Sequence, residues 1–141
     1  MLGWIGRHRR DDRATSAVEF SIVAPIFLLL IFLIIQAGLW FYGSNVALTS
    51  AREGVSYLRL AGNNADPAAF RVEAGRISEV YAERLGMIRN PKAVATIDEQ
   101  TGRVNVVVTG SLNLPGGVFD VREEATATLE QFRGDNLESS S

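Results

Sequence analysis

The chain has 141 residues, 14 of them basic and 16 acidic, with no cysteine and one histidine. That is room for one small domain once an apolar segment is set aside, and it excludes a disulfide framework, a thiolate metal site and a cysteine nucleophile. The single histidine, His8, stands in a basic stub away from any carboxylate cluster, so no metal site, cofactor or catalytic residue is expected.

The N-terminal stub is rich in arginine: Arg7, Arg9, Arg10 and Arg13, offset in part by Asp11 and Asp12. From there to Arg52 no lysine or arginine occurs, and within the 23 residues 20–42 Gln36 is the one strongly polar side chain. As a helix that run rises roughly 35 Å, enough to cross a hydrocarbon core of about 30 Å. Pro25 lies one turn inside it, a position tolerated near a helix start or beside a neighbouring helix. Gly38 permits close helix contact, and Trp40 and Tyr42 suit the far interface, where an aromatic ring is half buried with its polar atom wet. The arginines set the topology: residues 1–14 form a basic cytoplasmic leader, residues 15–43 a single N-in membrane helix, and the body lies outside. A cleaved secretory signal is the rival reading, but its apolar core would be shorter and would end at a small-residue cleavage site.

Beyond the span, Val46, Ala47, Ala51, Val55 and Leu58 recur at helical spacing, so the helix continues as an extracytoplasmic stalk over residues 44–62. The stretch NNADP is a turn, with Asp66 as N-cap and Pro67 as first helical residue. A second amphipathic helix is expected from there to Leu85, with Phe70, Ala74, Ile77, Tyr81 and Leu85 on one face and Gly86 as its stop. The period then changes from 3.6 to 2. KAVATID is a short strand, EQTG a turn, and RVNVVVTGSLNL a longer strand with Val104, Val106, Val108, Leu112 and Leu114 on one face. PGG turns the chain into a third strand in which Val121, Ala125, Ala127 and Leu129 alternate with polar residues. The expected class is α+β: a long membrane helix continuing as a stalk, then a small head over residues 63–132 with a three-stranded antiparallel sheet. Residues 133–141 read as a flexible polar tail.

Glu19 stands at the mouth of the apolar run. A carboxylate in a first helical turn is favoured by the free N–H groups there, and a charge at the hydrocarbon edge otherwise calls for a positive partner. Elsewhere the carboxylates are unpromising for catalysis: Glu123 and Glu124 are adjacent in a strand and face opposite ways, while Asp98 and Glu99 fall in a solvated turn.

The stretch ATSAVEFSIVAPIFLLLIFLIIQAG resembles the N-terminal signature of the TadE-like proteins, pseudopilins of the tight-adherence (Tad/Flp) pilus systems. Matched residue by residue, the resemblance implies that Ala14 is the last leader position, Thr15 the first residue after cutting by a prepilin-type peptidase, and Glu19 the fifth residue of the mature chain. Phe20 follows it, and Pro25 takes the place of the family's early proline. Ala14 departs from the family's usual glycine, which puts processing in question. The resemblance further implies a pilin-like fold and a role for Glu19 in setting register against a mature N-terminal amine.

The expected function is therefore a non-enzymatic minor pseudopilin or assembly component of a Tad-type pilus and secretion machine in the bacterial cytoplasmic membrane. Its expected partners are the lipid bilayer, other pilin-like or platform proteins through the N-terminal helix, and a prepilin peptidase; no nucleic acid or small-molecule substrate is expected. The alternative is an unprocessed, membrane-tethered module for external binding or adhesion.

Overall fold

A computed structural model describes residues 8–63 and 66–129, with side chains for residues 16–61 and 66–129. The element order is α1 (His8–Leu58), a 3-10 turn (Arg59–Asn63), α2 (Pro67–Arg84), β1 (Arg89–Asp98), β2 (Arg103–Leu114) and β3 (Gly117–Thr128). The chain divides into two compact units, one ending at Gly38 and the other beginning at Leu39.

In the first unit, every described residue is helical. Apolar side chains point outward all round the helix: residues from Phe20 to Ile35 such as Ile26, Leu30 and Ile34 are exposed. A helix apolar on every side needs an apolar medium. This is the one described helix long and apolar enough to cross a membrane, as in a single-pass membrane protein.

The second unit is α+β, with both helical segments and a three-stranded antiparallel sheet in the order β1-β2-β3. Its core takes Val46, Ala47, Ala51, Val55 and Leu58 from α1, the full stripe expected from their spacing. The segment read as a stalk is thus part of the packed body. The β2 face is also as expected: Val104, Val106, Val108 and Leu112 are fully buried and Leu114 nearly so, because alternation sends every second side chain inward. Register fixes the neighbours on that face, with Ala95 opposite Val106, Ile97 opposite Val104 and Ala125 opposite Val106. Burying Leu58 and Leu112 stabilises the fold by about 1.5–3 kcal/mol each.

α2 starts where the sequence placed it. The Asp66 carboxylate accepts from the backbone N–H of Ala68 and Ala69, each at 3.1 Å, and Pro67 opens the helix. It ends at Arg84, and Gly86 beyond it takes a φ of 70°, a left-handed turn that stops the helix. Its buried face agrees with the expected one at Ala74, with Phe70 packed against the core, and differs beyond: Gly75, Ser78 and Ala82 also face the core, while Tyr81 and Leu85 are exposed. The reason is proximity. A Cβ on Gly75 would lie 3.2 Å from the Ala93 carbonyl of β1, and one on Gly54 of α1 would overlap the Ser78 hydroxyl and lie 2.9 Å from the Ala74 carbonyl. Large side chains do not fit in that gap, so only small ones face inward. The two buried hydroxyls are satisfied within their own helices, Ser50 Oγ donating to the Val46 carbonyl at 2.7 Å and Ser78 Oγ to that of Ala74 at 3.0 Å.

β1 begins three residues before KAVATID, and its pairing is irregular between Arg89 and Lys92, where Asn90 has a φ of 49°. The turn after β1 is tied by Asp98, whose carboxylate accepts from the N–H groups of Gln100 and Thr101 and, at 2.6 Å, from the Thr101 hydroxyl.

Candidate assembly site

The residues singled out by sequence fall along the first half of α1. Arg7 lies outside the described residues. Arg9, Arg10, Arg13, Ala14 and Thr15 are in the helix, but their side chains lie outside the described ones. Glu19 and Phe20 are adjacent and exposed, Phe20 at 72%. Because α1 is continuous from His8 to Leu58, positions 15 and 19 are four residues apart and fall on one helix face, a turn from each other. The backbone therefore sets the carboxylate-bearing position directly above the residue that cleavage would make the N-terminus.

Pro25 lies inside α1 without ending it. Having no N–H, it leaves the Ser21 carbonyl without its usual donor. Ser21 itself is engaged one turn back, its hydroxyl donating to the Ala17 carbonyl at 2.9 Å. Among the described residues, Gly38 meets no atom within 4 Å of where a Cβ would stand, so its face is open there. Gln36 is half-buried, and its Oε1 has no hydrogen-bond partner among the described atoms. An amide at that depth is a group for which apolar surroundings make a partner valuable.

Among the described residues, no group of three or more histidines, cysteines, aspartates or glutamates is placed to hold a metal ion. Glu123 pairs with Val108 on the inner face, half-buried, while Glu124 turns outward and accepts from Asn105 Nδ2 at 2.7 Å. The two carboxylates are on opposite faces, as alternation requires. Glu73 and Arg76 form an exposed pair 2.6 Å apart, in which the hydrogen bond from Arg76 holds the Glu73 carboxyl below its ordinary pKa. Asp98 is likewise held low, chiefly by the Thr101 hydroxyl. Both belong to the solvated surface.

Two structural roles escaped the sequence reading. Gly54, which the sequence reading did not single out, is the contact point of α1 and α2. Glu79, also not singled out, accepts through its Oε1 from the Ala93 N–H of β1 at 2.9 Å. The only signal for the first was a glycine inside an otherwise regular apolar stripe; nothing local marks the second.

No curated protein and no solved structure matches the chain. One family does. Residues 14–56 match the family model described as TadE-like protein, a stretch that begins at Ala14, includes Glu19, Phe20, Pro25 and Gly38, and ends among the core residues of α1. Over those residues, 43 of the 141, the chain is similar to the TadE-like proteins.

Proposed function

We propose that this chain is a minor pseudopilin or assembly component of a Tad-type pilus machine, without an active site of its own. In this reading it sits in the cytoplasmic membrane as a single N-in pass, with Arg7, Arg9, Arg10 and Arg13 holding the leader on the cytoplasmic side. The observation that carries it is the TadE-like match starting at Ala14 and containing Glu19 at the head of an all-round apolar helix. Ala14 and Thr15 flank the bond that a prepilin-type peptidase would cut. Cutting there removes the arginines and leaves the membrane helix in place. The new amine at Thr15 and the carboxylate of Glu19, on the same chain or a neighbouring one, neutralise each other in poorly solvated surroundings and reward one axial register. Pro25 and Gly38 shape the face on which neighbouring helices pack.

Ala14 in place of glycine favours a second reading, a permanently anchored external module. The two are separated by the N-terminus of membrane-extracted protein, determined by intact mass and N-terminal sequencing from cells with and without the peptidase. A start at Thr15 that depends on the peptidase supports the pseudopilin; a chain keeping Arg7 to Arg13 in both strains removes processing and leaves the anchored module.

A further inference from the structure

The apolar run does not end in a bare helix. Its last residues, Trp40, Phe41 and Tyr42, belong to the second unit and are 46%, 66% and 53% exposed, and Gly43 follows directly. A side chain at Gly43 would run into Leu112 of β2, and one at Gly54 would lie 3.4 Å from Val106. Moving toward the N-terminus along α1 is therefore moving toward the C-terminus along β2. The two contacts are separated by roughly 16 Å along the helix and about 20 Å along the strand, so the elements run side by side in opposite directions. The β2–β3 turn is thus carried to the end of the body where the apolar run begins. Leu112 pairs with Phe119 and Asn113 with Val118, which sets both β3 residues level with Gly43. Val118 is 67% exposed and Phe119 42%. No charged residue occurs over residues 112–119.

We propose that the tip of the β2–β3 hairpin, through Val118 and Phe119, rests in the interfacial layer of the bilayer as a second lipid contact beside the helical anchor. The proposal builds on the membrane-span reading. Its occupant is lipid because Val118 and Phe119, on the two faces of the hairpin, are exposed level with the exposed end of the apolar run, at the depth where Trp40 meets the interface. Charge returns one step further from the bilayer, at Asp120 and Arg122, as expected for a surface that dips and then stops.

The full chain has no cysteine, so single probes are readily placed. Val118→Cys, Val94→Cys and Phe27→Cys are each labelled with a polarity-sensitive fluorophore and reconstituted in phosphatidylethanolamine and phosphatidylglycerol vesicles containing acyl-brominated lipid. Val94 is as exposed as Val118, at 62%, but pairs with Val107 near the Gly54 end of the sheet. The expected result is deep quenching at position 27, several-fold more quenching at 118 than at 94 by lipids brominated near the headgroup, and no change at 118 when the protein is diluted in lipid. Equal signals at 118 and 94 with position 27 quenched overturn the hairpin contact alone. Loss of quenching at 27 removes the span reading and this proposal with it. A signal at 118 that disappears on dilution assigns the tip to a second copy of the chain and overturns the lipid contact.

Discussion

The side chain that Gly54 lacks would occupy the space of the Ser78 hydroxyl. α1 and α2 therefore meet with no room for a methyl group. On an exposed helix, Gly→Ala stabilises by about 1 kcal/mol; here the added carbon meets Ser78 and, 2.9 Å away, the Ala74 carbonyl. Overpacking of that kind costs about 1–3 kcal/mol, so Gly54→Ala is expected to destabilise. Adding Ser78→Ala should recover part of the loss but not all, because the Ala74 carbonyl remains. Chaotrope unfolding of the single and double variants in micelles checks this, and a Gly54→Ala protein more stable than the parent would refute it.

Glu79 satisfies an N–H at the open edge of β1. Glu79→Gln keeps an acceptor oxygen, whereas Glu79→Ala leaves the Ala93 N–H to water. The alanine variant should lose about 0.5–1.5 kcal/mol and show faster amide exchange at Ala93, with the glutamine variant close to the parent in both. Equal exchange at Ala93 in all three proteins would show that the hydrogen bond does not protect the edge.

Asp98 ties the β1–β2 turn, and its folded pKa is held below the ordinary 3.8 by the Thr101 hydroxyl first, then by the N–H groups of Thr101 and Gln100. A depressed carboxyl pKa stabilises the fold at pH values above the unfolded pKa, and that contribution disappears as pH falls through the folded one. The loss therefore belongs to the acid side of the ordinary aspartate pKa, with nothing changing near neutrality. Asp98→Asn should flatten the acid limb of the melting curve relative to the parent; parallel acid limbs would mean that Asp98 contributes none of it.

Glu19 is exposed at the head of the span, so its value is expected to lie between chains rather than in the fold. Glu19→Ala should leave unfolding of the body within about 0.5 kcal/mol of the parent while depleting the protein from sheared pilus-associated fractions. Normal incorporation of the alanine variant would argue against a register role.

The sequence made some of this plain and concealed the rest for physical reasons. The inward face of β2 was legible because Val104, Val106, Val108 and Leu112 alternate with polar neighbours, and burial of large apolar groups dominates strand orientation. The buried stripe of α1 was legible on the same grounds. The inner face of α2 was legible at Ala74 but not beyond it: Gly75, Ser78 and Ala82 carry little hydrophobic signal, and they are inside because backbones approach closely there, a requirement set by α1 and β1 rather than by α2. The larger Tyr81 and Leu85 gave a false stripe. At the candidate site, the spacing around Glu19 is local along one helix and so is visible in the sequence, whereas the proposed register role would depend on groups from other chains, which no single fold displays.

Gly43 and Leu112 touch across 69 intervening steps of sequence (112 − 43). During synthesis, the apolar stripe of α1 is made long before the strand that covers it. Until β2 is complete, that helix face stands uncovered next to a membrane segment already able to insert. A nascent or truncated chain thus presents a sticky helix where the finished one presents a closed body, and the last two strands act as the stopper. A chain that loses the β2–β3 hairpin keeps its apolar helix but uncovers Val46, Ala47, Ala51, Val55 and Leu58, the kind of exposed stripe that drives aggregation.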